Sequence, residues 1–418
     1  MTTARGDDGD SSAGRPPVTT EAVRTDVFTD LVGQGDVVTT LRRAAVAAAG
    51  IVAGVEAAPG EMTHAWLFTG PPGSGRSVAA RAFAAALQCH NGGCGVCNEC
   101  HTVLGGTHAD VRLVVPEGLT IGVNDMRRLV LSASGSPVSG RWMVILVEDA
   151  DRLTEAASNA LLKAVEEPPE RTVFLLCAPS TNPEDVSVTI RSRCRTVPLR
   201  APAADAVAEV LVRRDGIDPA TARWAARVAQ GHVGRARRLA RDPQAQARRR
   251  AVLSVPRSLT RIASCFDAAD ALIKASEEEA AAATVDLSAR EVEELKQALG
   301  GGGTGKGAAG AARGTTGQIK DLEKRQKSRA TRTQRDALDR ALVDLAAFYR
   351  DVLMVRVGAQ VSLVHTDVTD LAEAAAAKWT QESILRRIEA VLACREAIDA
   401  NVKPRIAVEA MMLSLYQG

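Results

Sequence analysis

The chain has 418 residues, 46% of them hydrophobic, and a formal net charge of +2. That length exceeds one ordinary domain, so two or three domains are expected, each with its own core. The near-zero charge excludes electrostatic binding of nucleic acid by the whole surface, no run of about twenty apolar residues is present to span a membrane, and 3% aromatics with abundant Ala, Val and Leu favour helix-rich packing over a β-sandwich.

Residues 1–24 are rich in Gly, Ser and Asp and read as a disordered tail. They lack the basic-then-apolar order of a signal peptide, so a cytoplasmic location is expected. From Val27 the chain enters a helix, and Ala65 to Phe68 is a strand-like apolar run that leads straight into a Gly/Pro turn. A helix is expected from Ser77 to Leu87, then a strand from Val111 to Val115 and an amphipathic helix over "GVNDMRRLVLSA". "WMVILVEDA" and "TVFLLCA" read as buried strands separated by the helix "TEAASNALLKAVEE", which Pro168 and Pro169 end. Apolar strands alternating with helices imply a parallel sheet covered on both faces, over residues 25–200. Short Ala/Arg-rich helices follow over 201–245, then a longer helical region over 246–418. In its last part Ile384, Ile388, Val391 and Ile398 share one helical face. A Gly-rich stretch, Gly300 to Gln318, reads as a flexible insert at about 298–320.

Gly70-Pro71-Pro72-Gly73-Ser74-Gly75-Arg76-Ser77 lies between a strand and a helix. That is the setting of a phosphate loop, where backbone N–H groups and a helix N-terminus point at phosphate oxygens. Gly70, Gly73, Gly75, Arg76 and Ser77 are therefore candidate nucleotide-binding residues. Arg76 stands where the motif has Lys. A planar guanidinium does not replace a compact ammonium at a tight site, so this pocket is a degenerate one, and binding of ATP with Mg2+ is left open. Gly300 to Lys306 matches the start of the same pattern, but no strand precedes it and Gly307 replaces the Ser/Thr, so it reads as linker.

Glu148 and Asp149 follow the strand "MVILV". In phosphate-loop ATPases acids at such a place hold magnesium and orient the attacking water. The usual order is Asp-Glu. Here it is inverted, which alters both reaches by a methylene and counts against hydrolysis.

Cys89, Cys94, Cys97 and Cys100 form a C-x4-C-x2-C-x2-C loop. Four thiolates in a short Gly-containing loop suit a closed, structural Zn2+ site. An iron–sulfur cluster and free thiols are the alternatives, and His90 and His101 are spare ligands. Cys177, Cys194, Cys265 and Cys394 read as small buried residues. The arginines between Arg213 and Arg250 read as a solvated helical surface, with contact to phosphates as the alternative.

These motifs, with "NALLKAVEEPP" followed by "SRC", resemble bacterial clamp-loader subunits in kind and order, strongly over residues 27–240 and more loosely in "NVKPRIAVEAMML". The resemblance implies an AAA+ α/β module, a small helical lid and an all-α collar. It implies partners too: tau/gamma and delta subunits in a hetero-oligomeric ring, a sliding clamp, and primer-template DNA held without sequence specificity. The family contains an ATPase kind, tau/gamma, and a kind with a degenerate phosphate loop, delta-prime. Arg76, the Glu148-Asp149 order and Gly234 in place of a sensor arginine resemble the second; Ser180 and Thr181 are the candidates for a sensor hydroxyl. On that resemblance Arg193 of Ser192-Arg193-Cys194 is an arginine finger supplied to a neighbour's ATP site, and Arg127 and Arg128 contact the DNA backbone. Arg191 is the competing finger, because on a strand-like segment it shares a face with Arg193. Two rival functions stay open: an active tau/gamma-type ATPase subunit, and a stand-alone zinc-containing nucleic-acid-binding module.

Overall fold

The computed structural model describes residues 26–56, 58, 60–133, 135–138, 141–298 and 308–418. The expected tail, 1–24, lies outside the described residues.

The first half alternates as the sequence predicts. Helix α1 (Gly35–Val52) precedes strand β1 (Ala65–Thr69), followed by α2 (Arg76–Gln88), α3 (Asn98–Leu104), β2 (Val111–Val114), α4 (Val123–Ala133), β3 (Met143–Val147), α5 (Glu155–Glu166), β4 (Thr172–Ala178), α6 (Val188–Arg191) and β5 (Arg195–Pro198). The strands form one parallel sheet in the order β2-β3-β4-β1-β5. β1, β3 and β4 are buried along their whole length, because helices cover both faces. Strand alternation divides the core: Trp66 and Phe68 pack with Leu41 and Phe83 of α1 and α2, while Leu67 packs with Met126 and Leu161 of α4 and α5.

Helices α7 (Ala204–Asp215), α8 (Pro219–Val228) and α9 (Val233–Arg241) close around a small core of their own, with Val207, Leu211 and Leu239 inside. The rest is helical: α10 (Pro243–Ser258), α11 (Ile262–Ala298), α12 (Ala308–Arg356), α13 (Thr369–Lys378), α14 (Gln381–Asp399) and α15 (Pro404–Gln417). Their shared core includes Leu342, Phe348 and Tyr349 with Ile384, Val391 and Ile398. The Gly-rich insert lies outside the described residues as far as Gly307. From Ala308 the chain is already helical, so the long helix α12 begins inside the stretch whose composition reads as flexible.

Two further expectations change. Arg191 and Arg193 stand on and just after a helical turn, not on a strand. The arginines expected on a solvated surface are in part interior: Arg235 pairs with Asp344 of α12, and Arg249 donates to Asp367 at 2.6 and 2.8 Å, stacks over Trp224 and is almost fully buried.

Candidate nucleotide pocket, exposed arginine and cysteine cluster

β1 delivers the chain to Gly70 at the end of the sheet where the strands terminate. Gly70 (φ +152°) and Gly73 (φ +87°) are required as glycines on two counts. A Cβ on Gly70 would lie 2.5 Å from the Leu199 carbonyl oxygen, and one on Gly73 would lie 2.7 Å from His232. The second contact presses the turn before α9 onto the phosphate loop. Gly75 caps α2 in a left-handed conformation, so the α2 N-terminus opens toward a cavity of about 420 Å³. Arg76, Ser77, His232, Gly234, Arg214 and Arg237 line it. One buried Arg76 nitrogen, Nη1, has no hydrogen-bond partner among the described residues.

The acids at the end of β3 are both engaged. Glu148 Oε1 accepts from Arg81 Nε at 3.0 Å and Nη2 at 2.8 Å. Asp149 Oδ2 accepts from Arg332 Nη2 at 2.5 Å. Asp149 also adopts φ 53°, a left-handed conformation that Asp tolerates better than most residues. Burial, with the neighbouring Asp149 carboxylate, holds the Asp151 carboxyl above its usual range. Magnesium takes hard oxygen ligands. With Glu148 and Asp149 each bonded to a guanidinium, this acid pair does not fit that ion as it stands. Of the sensor candidates, the Ser180 hydroxyl donates to Asp185 at 2.6 Å and Thr181 offers its carbonyl to Arg191.

Arg193 lies at the other end of the sheet. It precedes β5, and β5 runs parallel to β1 with Arg195 opposite Trp66. The phosphate loop follows the far end of β1, roughly 17 Å away along five strand residues at about 3.3 Å each. Arg193 is exposed, pairs with Glu166 at 2.7 Å and donates to the Thr189 carbonyl at 3.0 Å. Arg191 is turned inward, donating to the Thr181 carbonyl at 2.9 Å. Two residues apart near a helix end, the two side chains diverge, so Arg191 is not equivalent to Arg193.

The four loop cysteines converge: their sulfurs all lie within 4.8 Å of one another. Cys89 Sγ is 3.7 Å from Cys94 Sγ and 3.6 Å from Cys97 Sγ. Tetrahedral zinc with Zn–S near 2.3 Å requires sulfurs about 3.8 Å apart, so the donor set fits the metal. Burial opposes ionisation of Cys89, yet the backbone N–H groups of Cys94, Gly93 and Asn91 bring its thiol down to about 7. His90 faces Arg141, not the sulfurs, with Nδ1 3.2 Å from Nη1. Of the remaining cysteines, Cys177, Cys265 and Cys394 are buried and Cys194 is half-buried.

Arg127 and Arg128 are exposed on the first turns of α4, with Arg128 paired to Asp125 at 2.5 Å. Arg81 and Arg332 are the site residues that sequence reasoning misses. Arg81 had a local signal, one turn beyond Ser77 on the loop helix. Arg332 had none, since 183 residues separate it from Asp149.

Comparison with known proteins places these features in context. The family model described as DNA polymerase III, delta subunit, matches residues 54–203, and that for its C-terminal part matches residues 332–417; together they span more than half of the chain. The chain is 27% identical to the DNA polymerase III subunit delta' of Bacillus subtilis over 85% of its own length and 92% of the relative's. It is 40% identical to the DNA polymerase III subunit gamma/tau of Mycobacterium tuberculosis over 34% of its length. It spans only about a quarter of that relative, 25%. A gamma subunit-related protein of Thermotoga maritima overlays on 90% of this chain and 99% of its own at 15% identity, with a TM-score of 0.34. No helix among the described residues is long and apolar enough to cross a membrane.

Proposed function

We propose, on the premise that this chain belongs to the family of DNA polymerase III clamp-loader subunits, that it is the delta-prime kind of subunit: a scaffold that lends Arg193 to the ATP site of a neighbouring ATPase subunit and hydrolyses no ATP itself. The observation that carries this reading is the placement of Arg193. It is exposed at the end of the sheet remote from its own phosphate loop, so a neighbour can reach it and its own pocket cannot. A guanidinium at a neighbour's γ-phosphate stabilises the charge that spreads over the transferring oxygens, and such a finger supplied in trans is worth about 10³–10⁵ in rate.

In the same reading residues 25–200 are the AAA+ module, 201–245 the lid and 246–418 the collar that joins tau/gamma and delta neighbours. The cysteine loop holds a structural zinc through Cys89, Cys94, Cys97 and Cys100. With all four positions taken by sulfur, the metal adds stability and leaves no open site for water. Arg127 and Arg128, on an exposed helix face, contact phosphates of primer-template DNA without reading bases.

The gamma/tau likeness favours a second reading, in which this chain is itself a motor. ATP turnover by the isolated chain separates the two. The delta-prime reading expects none above background, with or without DNA. Turnover that Ser77→Ala abolishes would establish the motor reading instead.

A further inference from the structure

We infer that Arg81 and Arg332 are built-in counter-ions that take the electrostatic place of a divalent cation beside Glu148 and Asp149, so that this acid pair is closed to magnesium. This rests on reading the pocket as one that has lost hydrolysis, but not on the trans role of Arg193.

The two arginines come from different parts of the fold. Arg81 is on α2, the helix that the phosphate loop opens, and it grips one Glu148 oxygen with two nitrogens. Arg332 comes from α12, in the C-terminal helical region. It is held in place independently of Asp149: the Pro116 carbonyl accepts from its Nη1, and Asp336 lies 3.9 Å from its Nε, one turn along the helix. α12 lies close beside the loop after β2. Arg325 is 4.0 Å from Glu117, and a Cβ on Gly118 would meet Ser328 at 3.2 Å. Arg332 therefore arrives at Asp149 as part of a packed surface and not as a free surface chain.

Charge then decides the outcome. Two carboxylates face two guanidiniums, and both pairs are partly shielded from water; the Glu148 and Arg332 side chains are 14% and 18% exposed. A hydrated magnesium ion reaches these acids only by competing with both guanidiniums; displaced, Arg332 keeps only the Pro116 carbonyl and the more distant Asp336, and the more exposed Arg81 must turn to water. A motor site needs the opposite arrangement, with acids free to take the ion. The contact also ties α12 to the acid motif at the end of β3.

The test uses the full chain in metal-depleted buffer without chelator, so that the cysteine loop is left intact, and compares the wild type with Arg81→Ala/Arg332→Ala. Manganese binding is followed by the electron paramagnetic resonance signal of the free ion, and melting temperature is measured with and without magnesium. The wild type is expected to bind no manganese and to melt at the same temperature in both conditions. The double variant is expected to melt lower without metal, to recover with magnesium, and to bind one manganese ion; adding Asp149→Asn should remove that gain. Arg332→Gln, which keeps the length and a donor, gives the same response at smaller amplitude if the double variant does not fold. A wild type already stabilised by magnesium, or folded variants that bind no manganese, would overturn the inference. Neither result bears on Arg193, whose role is read from a partner's turnover.

Discussion

The carboxylate of Glu166, at the end of α5, holds the Arg193 guanidinium at 2.7 Å, with both side chains more than a third exposed. An ion pair so open to water contributes about 0–1 kcal/mol. It holds the arginine without binding it firmly, so in the proposed role release of Arg193 to a neighbour's phosphate would cost little. Glu166→Gln is therefore expected to change the stability of the chain by less than about 1 kcal/mol and to leave the turnover of the assembled loader equal or slightly raised. Chemical denaturation and steady-state hydrolysis check the two halves.

A lysine at position 76 is not expected to make this chain an ATPase. Arg76→Lys supplies the residue that the phosphate-loop motif carries, but Glu148 and Asp149 stay bonded to Arg81 and Arg332. The expected result is no ATP turnover by the isolated Arg76→Lys chain, measured by phosphate release.

The cysteine loop predicts one zinc per chain. Native mass spectrometry should find it, and Cys100→Ser should remove it. Cys100 and Cys89 are buried against α2 and the Val27–Phe28 segment, so loss of the metal leaves four thiols crowded beside that core without the ion that would hold them together. A cost of several kcal/mol and a lower melting temperature follow.

The buried junction of α9, α10 and α12 predicts a pH dependence. His365 Nδ1 lies 2.8 Å from Arg249, its Nε2 lies 3.1 Å from the Asp344 carbonyl oxygen, and Asp351 accepts from its backbone N–H. Burial, and then the Arg249 charge, hold its imidazole below the ordinary histidine value. The unfolded chain therefore binds a proton that the folded chain refuses, so this contribution is complete above about pH 6.5 and is lost as pH falls below it. His365→Asn should flatten the melting profile between pH 7.5 and 5.5. Arg249→Ala should cost about 1.5–3 kcal/mol at neutral pH, because it removes the buried guanidinium's charged hydrogen bonds to Asp367.

The parallel sheet was legible because three of its strands are apolar without interruption, a pattern that only two-sided burial explains. The phosphate loop and the cysteine loop were legible because their residues are contiguous, so local spacing carries the geometry. The state of the acids was not. Glu148 and Asp149 read as weakened ligands from their order alone, while the guanidiniums that occupy them come from 67 and 183 residues away. The arginine-rich stretch misled for a related reason. A charge on an amphipathic helix reads as solvated, and nothing nearby reveals that Asp344 and Asp367 fold back to bury Arg235 and Arg249. The relation of Arg191 to Arg193 turned on one helical turn, α6, too short to carry a periodicity.

In the proposed role this chain acts on a neighbour's ATP through Arg193. The deciding measurement is DNA- and clamp-stimulated hydrolysis by the loader reconstituted with its ATPase partner, comparing wild type with Arg193→Ala and Arg76→Ala. Arg193→Ala is expected to lower turnover sharply, toward the 10³-fold scale of a finger supplied in trans, while Arg76→Ala changes it little. Turnover that survives Arg193→Ala and is abolished by Arg76→Ala would contradict that role and make this chain a working motor.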